Sequence, residues 1–261
     1  RARDRALPPD VYDAEQTEFK DGNMKITILG KYGPYPKSGG ATTSYLVEEQ
    51  GKKFLLDAGT GSLSRIQMIC SLEEIDAVFL THLHSDHCSD LFILRYALKK
   101  KKLPLFLPRT PEAEYRLLDA CSCFDTTVLS DGMEIQMPDA EVKVSFCRTI
   151  HPVECYAAKF ENGSRSFVFS GDSRYSEKLT AFCEGTDVLL CDSGFLSSQK
   201  DTGSLPHMYV KEAAETARKA NVGKLLLTHI NPTYEEEALL CEARERFENT
   251  QIVEEMKQYF I

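Results

Sequence analysis

The side chains with the clearest chemical potential lie in the run T-H-L-H-S-D-H at positions 81–87, which holds three of the six histidines of this 261-residue sequence. The preceding stretch, residues 75–80 (I-D-A-V-F-L), has the length and the β-branched and aromatic content of a buried strand. The apolar residues between positions 91 and 98 predict a mostly buried helix. The run therefore occupies a strand-to-helix turn.

Four residues of this turn are of the types that bind metal ions. His82 and His84 alternate along an extended backbone, so their side chains can converge on one point. Asp86 and His87, at the predicted helix start, can face a second point. Neutral imidazole and carboxylate are the ligands that borderline divalent ions such as zinc prefer. The spacing predicts a metal site, and a solvated histidine-rich surface turn is the alternative.

The remaining histidines and one further aspartate lie in marked local settings. Strand-like apolar runs lead into His151 and His229, which places both at strand ends. His207 follows Leu-Pro and begins a helical pattern. Asp172 closes the stretch F-V-F-S-G-D, a strand that breaks at a small-residue turn and presents a carboxylate. The number and setting of these residues argue against a chance surface cluster.

The order of these motifs resembles the signature of the metallo-β-lactamase fold hydrolases, H-x-H-x-D-H followed by a distant His, a Gly-Asp turn and a last His. The resemblance runs from about residue 24 to the C-terminus. It implies an α/β fold (α+β in some schemes), an αββα sandwich of two mixed sheets flanked by helices. It also implies two divalent metal ions, Zn²⁺ with Mn²⁺ as the alternative. In that arrangement His82, His84 and His151 bind one ion, Asp86, His87 and His229 bind the other, and Asp172 bridges them.

Within that family the sequence is most similar to the ribonuclease Z group of phosphodiesterases, and this similarity implies further roles. Asp86 would both hold a metal ion and orient the attacking hydroxide. His207 would hydrogen-bond the phosphate and help to protonate the leaving alkoxide; a helix-start histidine with no catalytic role is the alternative. Asp57, in D-A-G-T-G, would support the histidine run from behind. Asp192 is a candidate to orient or charge-pair with a site histidine.

The loop at residues 32–44 (Y-G-P-Y-P-K-S-G-G-A-T-T-S) is similar to a ribonuclease Z loop at the mouth of the metal site. Tyr32, Tyr35, Lys37 and Ser38 are of the types that stack on or hydrogen-bond a nucleotide. We therefore predict that this loop contacts substrate, with a simple Gly/Pro connector as the alternative.

Strand and helix patterns alternate along the rest of the chain. Strands are predicted at residues 25–30, 42–49, 53–57, 134–137, 141–150, 156–160, 166–170, 188–191 and 224–228, and helices at 111–121, 176–184, 207–220 and 234–246. Two halves rich in both element types, with the ligand residues on strand-end loops, suit a sandwich of two mixed sheets. We predict one domain over residues 24–261. Residues 1–23 are charged and aperiodic, and are predicted to be an extension or remnant, with a docked arm as the alternative.

Amino-acid composition and cysteine usage indicate the class of protein and its cellular location. With 42% hydrophobic and 27% charged residues the chain is of the globular class. No apolar run is long enough to span a bilayer and no signal peptide is visible, so we expect no membrane association. The nine cysteines are scattered without a paired framework, which suits a reducing environment, and we predict a cytoplasmic protein.

The net charge of −9 argues against a sequence-independent grip on a polyanion, so no stable nucleic-acid partner is expected. Two adjacent divalent ions would still attract a small phosphate ester and activate a water for in-line displacement. Ribonuclease Z proper carries a long tRNA-gripping arm between the equivalents of His151 and Asp172, where this sequence has room only for a hairpin. The chain more closely resembles short, armless relatives, including the anti-Pycsar group that hydrolyses cyclic nucleotides.

We therefore predict a phosphodiesterase that converts 3′,5′-cyclic nucleotides to nucleoside monophosphates. The alternatives are a ribonuclease Z-like enzyme acting on RNA 3′ ends, another metallo-hydrolase such as a lactonase or thioesterase, and a non-catalytic metal-stabilised binding protein. The ribonuclease Z resemblance also implies a homodimer, in which a loop or the N-terminal arm of one subunit reaches the other's site.

Overall fold

The computed structural model describes residues 24–99, 102–198 and 205–261. The predicted extension at residues 1–23 lies outside the described residues. Within those ranges the chain forms two seven-stranded sheets. Sheet 1 contains β1 (Lys25–Gly30), β2 (Ser44–Glu49), β3 (Lys52–Leu56), β4 (Ala77–Phe79), β5 (Leu103–Leu107), β6 (Phe124–Val128) and β14 (Gln258–Phe260), in the order β14-β1-β2-β3-β4-β5-β6. Sheet 2 contains β7 (Glu134–Met137), β8 (Val142–Arg148), β9 (Tyr156–Glu161), β10 (Ser166–Phe169), β11 (Val188–Asp192), β12 (Lys224–Thr228) and β13 (Thr250–Ile252), in the order β13-β12-β11-β10-β9-β8-β7.

Helices cover the outer face of each sheet. They are α1 (Ser62–Ile66), α2 (Ser85–Cys88), α3 (Leu91–Leu94), α4 (Glu112–Asp119), α5 (Glu177–Phe182), α6 (Val210–Lys219) and α7 (Glu236–Arg244). α1 and α4 contact sheet 1, whereas α5, α6 and α7 contact sheet 2. The predicted αββα sandwich of two mixed sheets is confirmed. Among the described residues no helix is long and apolar enough to cross a membrane.

The two-residue period of the strands explains why both faces of each sheet are covered. In β4, Ala77 and Phe79 point into the central core between the sheets, while Val78 belongs to the outer layer under the helices. In β11, Leu190 points into the central core and Leu189 outward. Strands that are buried on both faces consist of continuous apolar runs, and such runs are easily recognised in the sequence.

The direction of the strands brings the metal-ligand residues to one edge. β3, β4 and β5 run parallel in sheet 1, and β10, β11 and β12 run parallel in sheet 2. The carboxyl ends of parallel strands lie at the same edge, so loops that follow them meet there. The histidine run follows β4, and Asp172 and His229 follow β10 and β12.

Three local predictions differ from the structure. In place of the buried helix expected over residues 91–98, the structure has only α3 (Leu91–Leu94), and Tyr96 is 69% exposed. α3 is separated from α2 at Asp90, whose N–H donates to the carbonyl of Ala58 and whose carboxylate accepts from the N–H of Leu63. The helix expected from residue 207 begins at Val210, which leaves His207 in the preceding loop. Four strands were not predicted, namely β5, β6, β13 and β14; β5 contains a proline, and β13 and β14 have only three residues each.

Candidate metal centre

Three imidazole nitrogens and one carboxylate meet at the first point of the site. His82 Nε2 lies 3.1 Å from His84 Nδ1, and His151 Nε2 lies 3.2 Å from the same atom. Asp172 Oδ2 is 3.5 Å from His82 Nε2 and 3.9 Å from His151 Nε2. These four residues offer ligand atoms that all lie within 4.8 Å of one another.

A second group shares Asp172 with the first. His87 Nε2 lies 3.6 Å from Asp86 Oδ2 and 3.4 Å from Asp172 Oδ1. His229 Nε2 lies 3.3 Å from Asp86 Oδ2 and 3.5 Å from Asp172 Oδ2. The structure thus brings all seven predicted ligands together in two adjoining groups near Asp172. A third group of possible ligand atoms, from Asp172, Asp192, His207 and His229, overlaps the second.

The ring nitrogens that face away from the two groups lie close to other residues. His87 Nδ1 donates to Asp57 Oδ2 at 2.8 Å, and His151 Nδ1 lies 3.2 Å from the carbonyl of Pro206. His229 Nδ1 lies 3.3 Å from Asp192 Oδ1, without a hydrogen bond between them. The hydroxyl of Thr81 donates to Asp57 Oδ2, so its lone pair accepts from His82 Nδ1 at 3.1 Å. In each case Nε2 is the nitrogen that faces inward, and its lone pair is free to bind a metal ion once the ring is neutral.

These residues fit divalent metal ions on two observations. Lone pairs of His82 and His151 both face His84 Nδ1, and at most one of them can accept a proton from it, so a cation between the three nitrogens would relieve the mismatch. Among the described residues, His87 Nε2 and Asp172 Oδ1 are buried without a hydrogen-bond partner. The separations within each group are close to the roughly 3.3 Å edge of a tetrahedron built on zinc–ligand bonds of about 2.0–2.1 Å.

Asp57 connects the ligand His87 to the backbone of the turn at Thr81. It is fully buried, its Oδ1 accepts from the N–H of Thr81 at 2.8 Å, and its Oδ2 accepts from the hydroxyl of Thr81 at 2.8 Å and from His87. Its φ of 56° lies in the left-handed region, which Asp tolerates better than most residues. Asp57 therefore lies behind the histidine run, where the sequence placed it.

Asp192 binds one histidine and lies next to a second. His207 Nδ1 donates to Asp192 Oδ2 at 2.8 Å, while Asp192 Oδ1 faces His229. His207 Nδ1 is also 3.7 Å from Asp172 Oδ2, so the His207 ring borders the ligand groups. The rings of His229 and His207 stack at 5.0 Å, and Phe195 lies 5.5 Å beyond His207. The Phe195 ring thus lies next to that of His207, a contact that the sequence did not predict.

The electrostatics of the cluster follow from its burial. Burial alone would raise the pKa of the Asp172 carboxyl, but the neighbouring histidines, His229 first, hold that pKa well below its usual range. Burial alone would lower the pKa of His87, but the adjacent carboxylates, Asp172 first, raise it to about 10. Burial lowers the pKa of His82 well below its ordinary value. Without metal, protons on some histidines balance the carboxylates, and divalent ions would take over that balance.

The Gly/Pro loop lies directly against the ligands. A Cβ on Gly33 would be only 2.0 Å from His229 Nε2, so this position has room for glycine alone. Tyr35, Lys37 and Ser38 are exposed, as a substrate contact requires. The prediction that Tyr32 contacts a nucleotide is wrong. Tyr32 is 7% exposed and packs in the core beneath the helices of sheet 2, so its ring is not available for stacking on a nucleotide.

The fold and this geometry agree with the comparison to known families. Residues 52–230 match the family model described as the Beta-lactamase superfamily domain. Because the match covers more than half of the chain, the chain belongs to that superfamily. The prediction of a metallo-β-lactamase fold hydrolase is confirmed, and its His/Asp cluster is suited to divalent metal ions.

The relatives of known sequence or structure include metallo-hydrolases of similar length. The chain is 31% identical to the probable metallo-hydrolase YhfI of Bacillus subtilis, over 79% of this chain and 87% of that protein. The crystal structure of YhfI matches with a TM-score of 0.85 and 30% identity, covering 90% of this chain and 99% of YhfI. A crystal structure described as a diphosphatase from the PhnP family shares the fold, with a TM-score of 0.73 at 18% identity, covering 92% of this chain and 97% of that one.

Ribonuclease Z of Archaeoglobus fulgidus is 31% identical to the chain, over 89% of this chain and 96% of that enzyme. The alignment spans 297 positions, more than the 261 residues present here, so the archaeal enzyme has segments that this chain lacks. In this chain, His151 and Asp172 are connected through the antiparallel β9–β10 hairpin.

Proposed function

We propose that the chain is a dinuclear-metal phosphodiesterase that hydrolyses 3′,5′-cyclic nucleotides to nucleoside monophosphates. The observation that carries the proposal is the pair of ligand groups joined through Asp172, with His207 beside them and only the β9–β10 hairpin between His151 and Asp172. The paired groups suit a phosphate ester, and the short hairpin leaves no arm for a folded RNA.

In this proposal each group holds one divalent ion, Zn²⁺ with Mn²⁺ as the alternative. His82, His84 and His151 would form one set of ligands and Asp86, His87 and His229 the other. Asp172, which lies 3.4 Å from His87 Nε2 and 3.5 Å from His229 Nε2, would serve both sets. Two adjacent ions supply an activated water and neutralise charge on the phosphate. Asp57 and Asp192 orient the ligand rings through the hydrogen bonds and close contacts described above.

His207 is proposed to act on the leaving group. Its Nδ1 donates to Asp192, so Nε2 is the nitrogen that remains to donate a proton to the departing ribose oxygen. The stacked ring of His229 and the tilted ring of Phe195 both pack on His207, and these contacts restrict its ring to the orientation that this transfer needs. Asp86, whose side chain is 12% exposed, is proposed to accept a hydrogen bond from the attacking water as well as to bind metal.

The rim of the site suits a small substrate. Tyr35, Lys37 and Ser38 stand exposed on the loop whose Gly33 touches His229, within the segment proposed to contact a nucleotide. The net charge of −9 disfavours a long polyanion, whereas a cyclic mononucleotide carries a single negative charge. The sequence also resembles the short, armless anti-Pycsar group, which hydrolyses cyclic nucleotides, and this resemblance supports the same substrate class.

The test is a substrate panel on the metal-loaded protein: cyclic mononucleotides, cyclic dinucleotides, precursor tRNA and bis(p-nitrophenyl) phosphate. We expect cyclic mononucleotides to be hydrolysed with the highest kcat/KM. His207→Ala should retain metal and lower kcat on cyclic nucleotides by about 10²–10⁴-fold, the usual value of general acid catalysis. Bis(p-nitrophenyl) phosphate releases a nitrophenolate that scarcely needs a proton, so its hydrolysis should fall much less.

Two results would count against this assignment. Equal losses on both substrates with metal retained would mean that His207 only positions phosphate. Loss of metal would mean that His207 is a ligand rather than an acid.

A ribonuclease acting on RNA 3′ ends is the second candidate. The 31% identity to the Archaeoglobus ribonuclease Z, over most of both chains, favours it, and cleavage of precursor tRNA in preference to cyclic nucleotides would establish it. The homodimer and the cytoplasmic location remain predictions.

A further inference from the structure

Arg65 of α1 and Glu255 near the C-terminus form an ion pair, although 190 positions separate them. Arg65 Nη1 lies 2.5 Å from Glu255 Oε1, and Nη2 lies 3.1 Å from Oε2, so the two planar groups meet through both pairs of atoms. Their side chains are 14% and 17% exposed. Such two-point contacts between guanidinium and carboxylate are among the stronger hydrogen-bonded pairs. Because both side chains are shielded from water, substitution of one partner leaves the other charge unpaired, which destabilises the folded state.

Both members of the pair also bind backbone at the base of the Gly/Pro loop. Glu255 Oε1 accepts from the N–H of Ala41 at 2.8 Å. Arg65 Nη2 donates to the carbonyl of Gly39 at 2.7 Å, and Nη1 donates to the carbonyl of Leu29, at the end of β1, at 2.5 Å. The ion pair therefore fixes the segment that enters the loop and the segment that leaves it.

The loop is in turn connected to the ligand groups through hydrogen bonds and close packing. The N–H of Tyr32 donates to the carbonyl of Ala41, which ties the two limbs of the loop together. Gly40 packs so closely on the Tyr32 ring that a Cβ there would come within 2.6 Å of it. The N–H of Gly33 donates to the carbonyl of Ile230, and Gly33 lies against the His229 ring. The exposed residues 35–38 therefore extend from a stem that is fixed at both ends.

We propose that Arg65 and Glu255 are positioning residues that hold the residue 32–40 loop at the mouth of the metal site and so set the affinity for substrate. Neither residue touches the ligand groups, and their effect is transmitted through Gly39, Ala41 and the stem of the loop. The inference rests on the proposed function in one respect, that the loop contacts substrate. Its structural part, the restraint of the loop by the ion pair, can be tested without any substrate.

The substrate-free test uses fluorescence. The sequence contains no tryptophan, so Tyr35→Trp introduces a single reporter at an exposed position of the loop. In this background we compare Glu255→Gln, which removes the charge and keeps the shape, with Arg65→Gln. Time-resolved anisotropy should show faster local motion of the reporter in both variants, while metal content stays at the parent value.

The substrate-dependent test uses steady-state kinetics without the reporter. Glu255→Gln should raise KM for cyclic nucleotides about tenfold, the size expected from one charge-assisted hydrogen bond, with kcat within about twofold of the parent. The matched control is Glu254→Gln, which breaks the neighbouring exposed pair with Lys257, where the side chains are 68% and 52% exposed. This control should change neither anisotropy nor KM.

Unchanged anisotropy in both variants, with the protein folded, would overturn the proposed restraint. Faster loop motion with an unchanged KM, or a fall in thermal stability with unchanged kinetics, would show a structural role only. If cyclic nucleotides prove not to be substrates, bis(p-nitrophenyl) phosphate supplies the kinetics and the anisotropy result stands by itself, so failure of the proposed function is distinguishable from failure of this inference.

Discussion

Asp57→Asn tests whether the carboxylate behind the histidine run supports both the fold and the metal ligands. The Asp57 carboxylate accepts three hydrogen bonds at 2.8 Å, from the N–H and hydroxyl of Thr81 and from His87 Nδ1. Asn is the suitable replacement because it is nearly isosteric and tolerates the positive φ of this position. An amide has one acceptor oxygen, so in either orientation its NH₂ faces at least one of these donors.

The magnitude follows from the burial. One buried donor left without an acceptor costs about 1–3 kcal/mol, and the other bonds lose the benefit of a charged acceptor. We expect the free energy of unfolding of the metal-free protein to fall by about 2–4 kcal/mol. Because the carboxylate also fixes the His87 ring, metal affinity should fall by about 10–100-fold, as for other residues that orient a ligand.

Urea unfolding in the presence of a chelator measures the first quantity, and competition with a chromogenic chelator measures the second. Asp76→Asn is the matched control, because Asp76 also accepts a backbone N–H, that of Lys53 at 2.9 Å, but it precedes β4, whereas the histidine run follows that strand. Unchanged stability and metal affinity in Asp57→Asn, or an equal loss of affinity in Asp76→Asn, would refute the reasoning.

Two further predictions concern metal and pH. The purified protein should contain about two divalent ions per chain, and His84→Ala or Asp172→Ala should lose metal and activity together by elemental analysis and assay; a metal-free protein with full activity would exclude the mechanism. Burial alone would raise the pKa of Glu154, but hydrogen bonds from Tyr156 and Thr110 outweigh burial and lower it. Since the folded pKa is depressed, this stabilisation is present above the unfolded value of about 4.3 and is lost as the pH falls through the folded pKa. Glu154→Gln should flatten that part of a stability–pH curve, and an unaltered curve would argue against the contribution.

The sequence alone identified the candidate ligand residues and predicted that they follow the ends of strands. Strands that are buried on both faces produce apolar runs, and these runs end at His82, His151, Asp172 and His229. Local pattern is sufficient there, because the residues that define each strand are neighbours in sequence. The same pattern located β1, β7 and β12 at their exact bounds, but it did not reveal short strands at the sheet edges or a strand containing proline.

Only the tertiary structure decided which nitrogen of each histidine faces inward, that Tyr32 is buried, and that Gly33 lies against His229. The same holds for Arg65 and Glu255, neither of which the sequence distinguished from other surface charges. These features arise from contacts between segments far apart in the chain. Such contacts depend on how β1, β14 and the two sheets are paired and registered, and the pairing is set by the packing of the whole core rather than by any local run of residues.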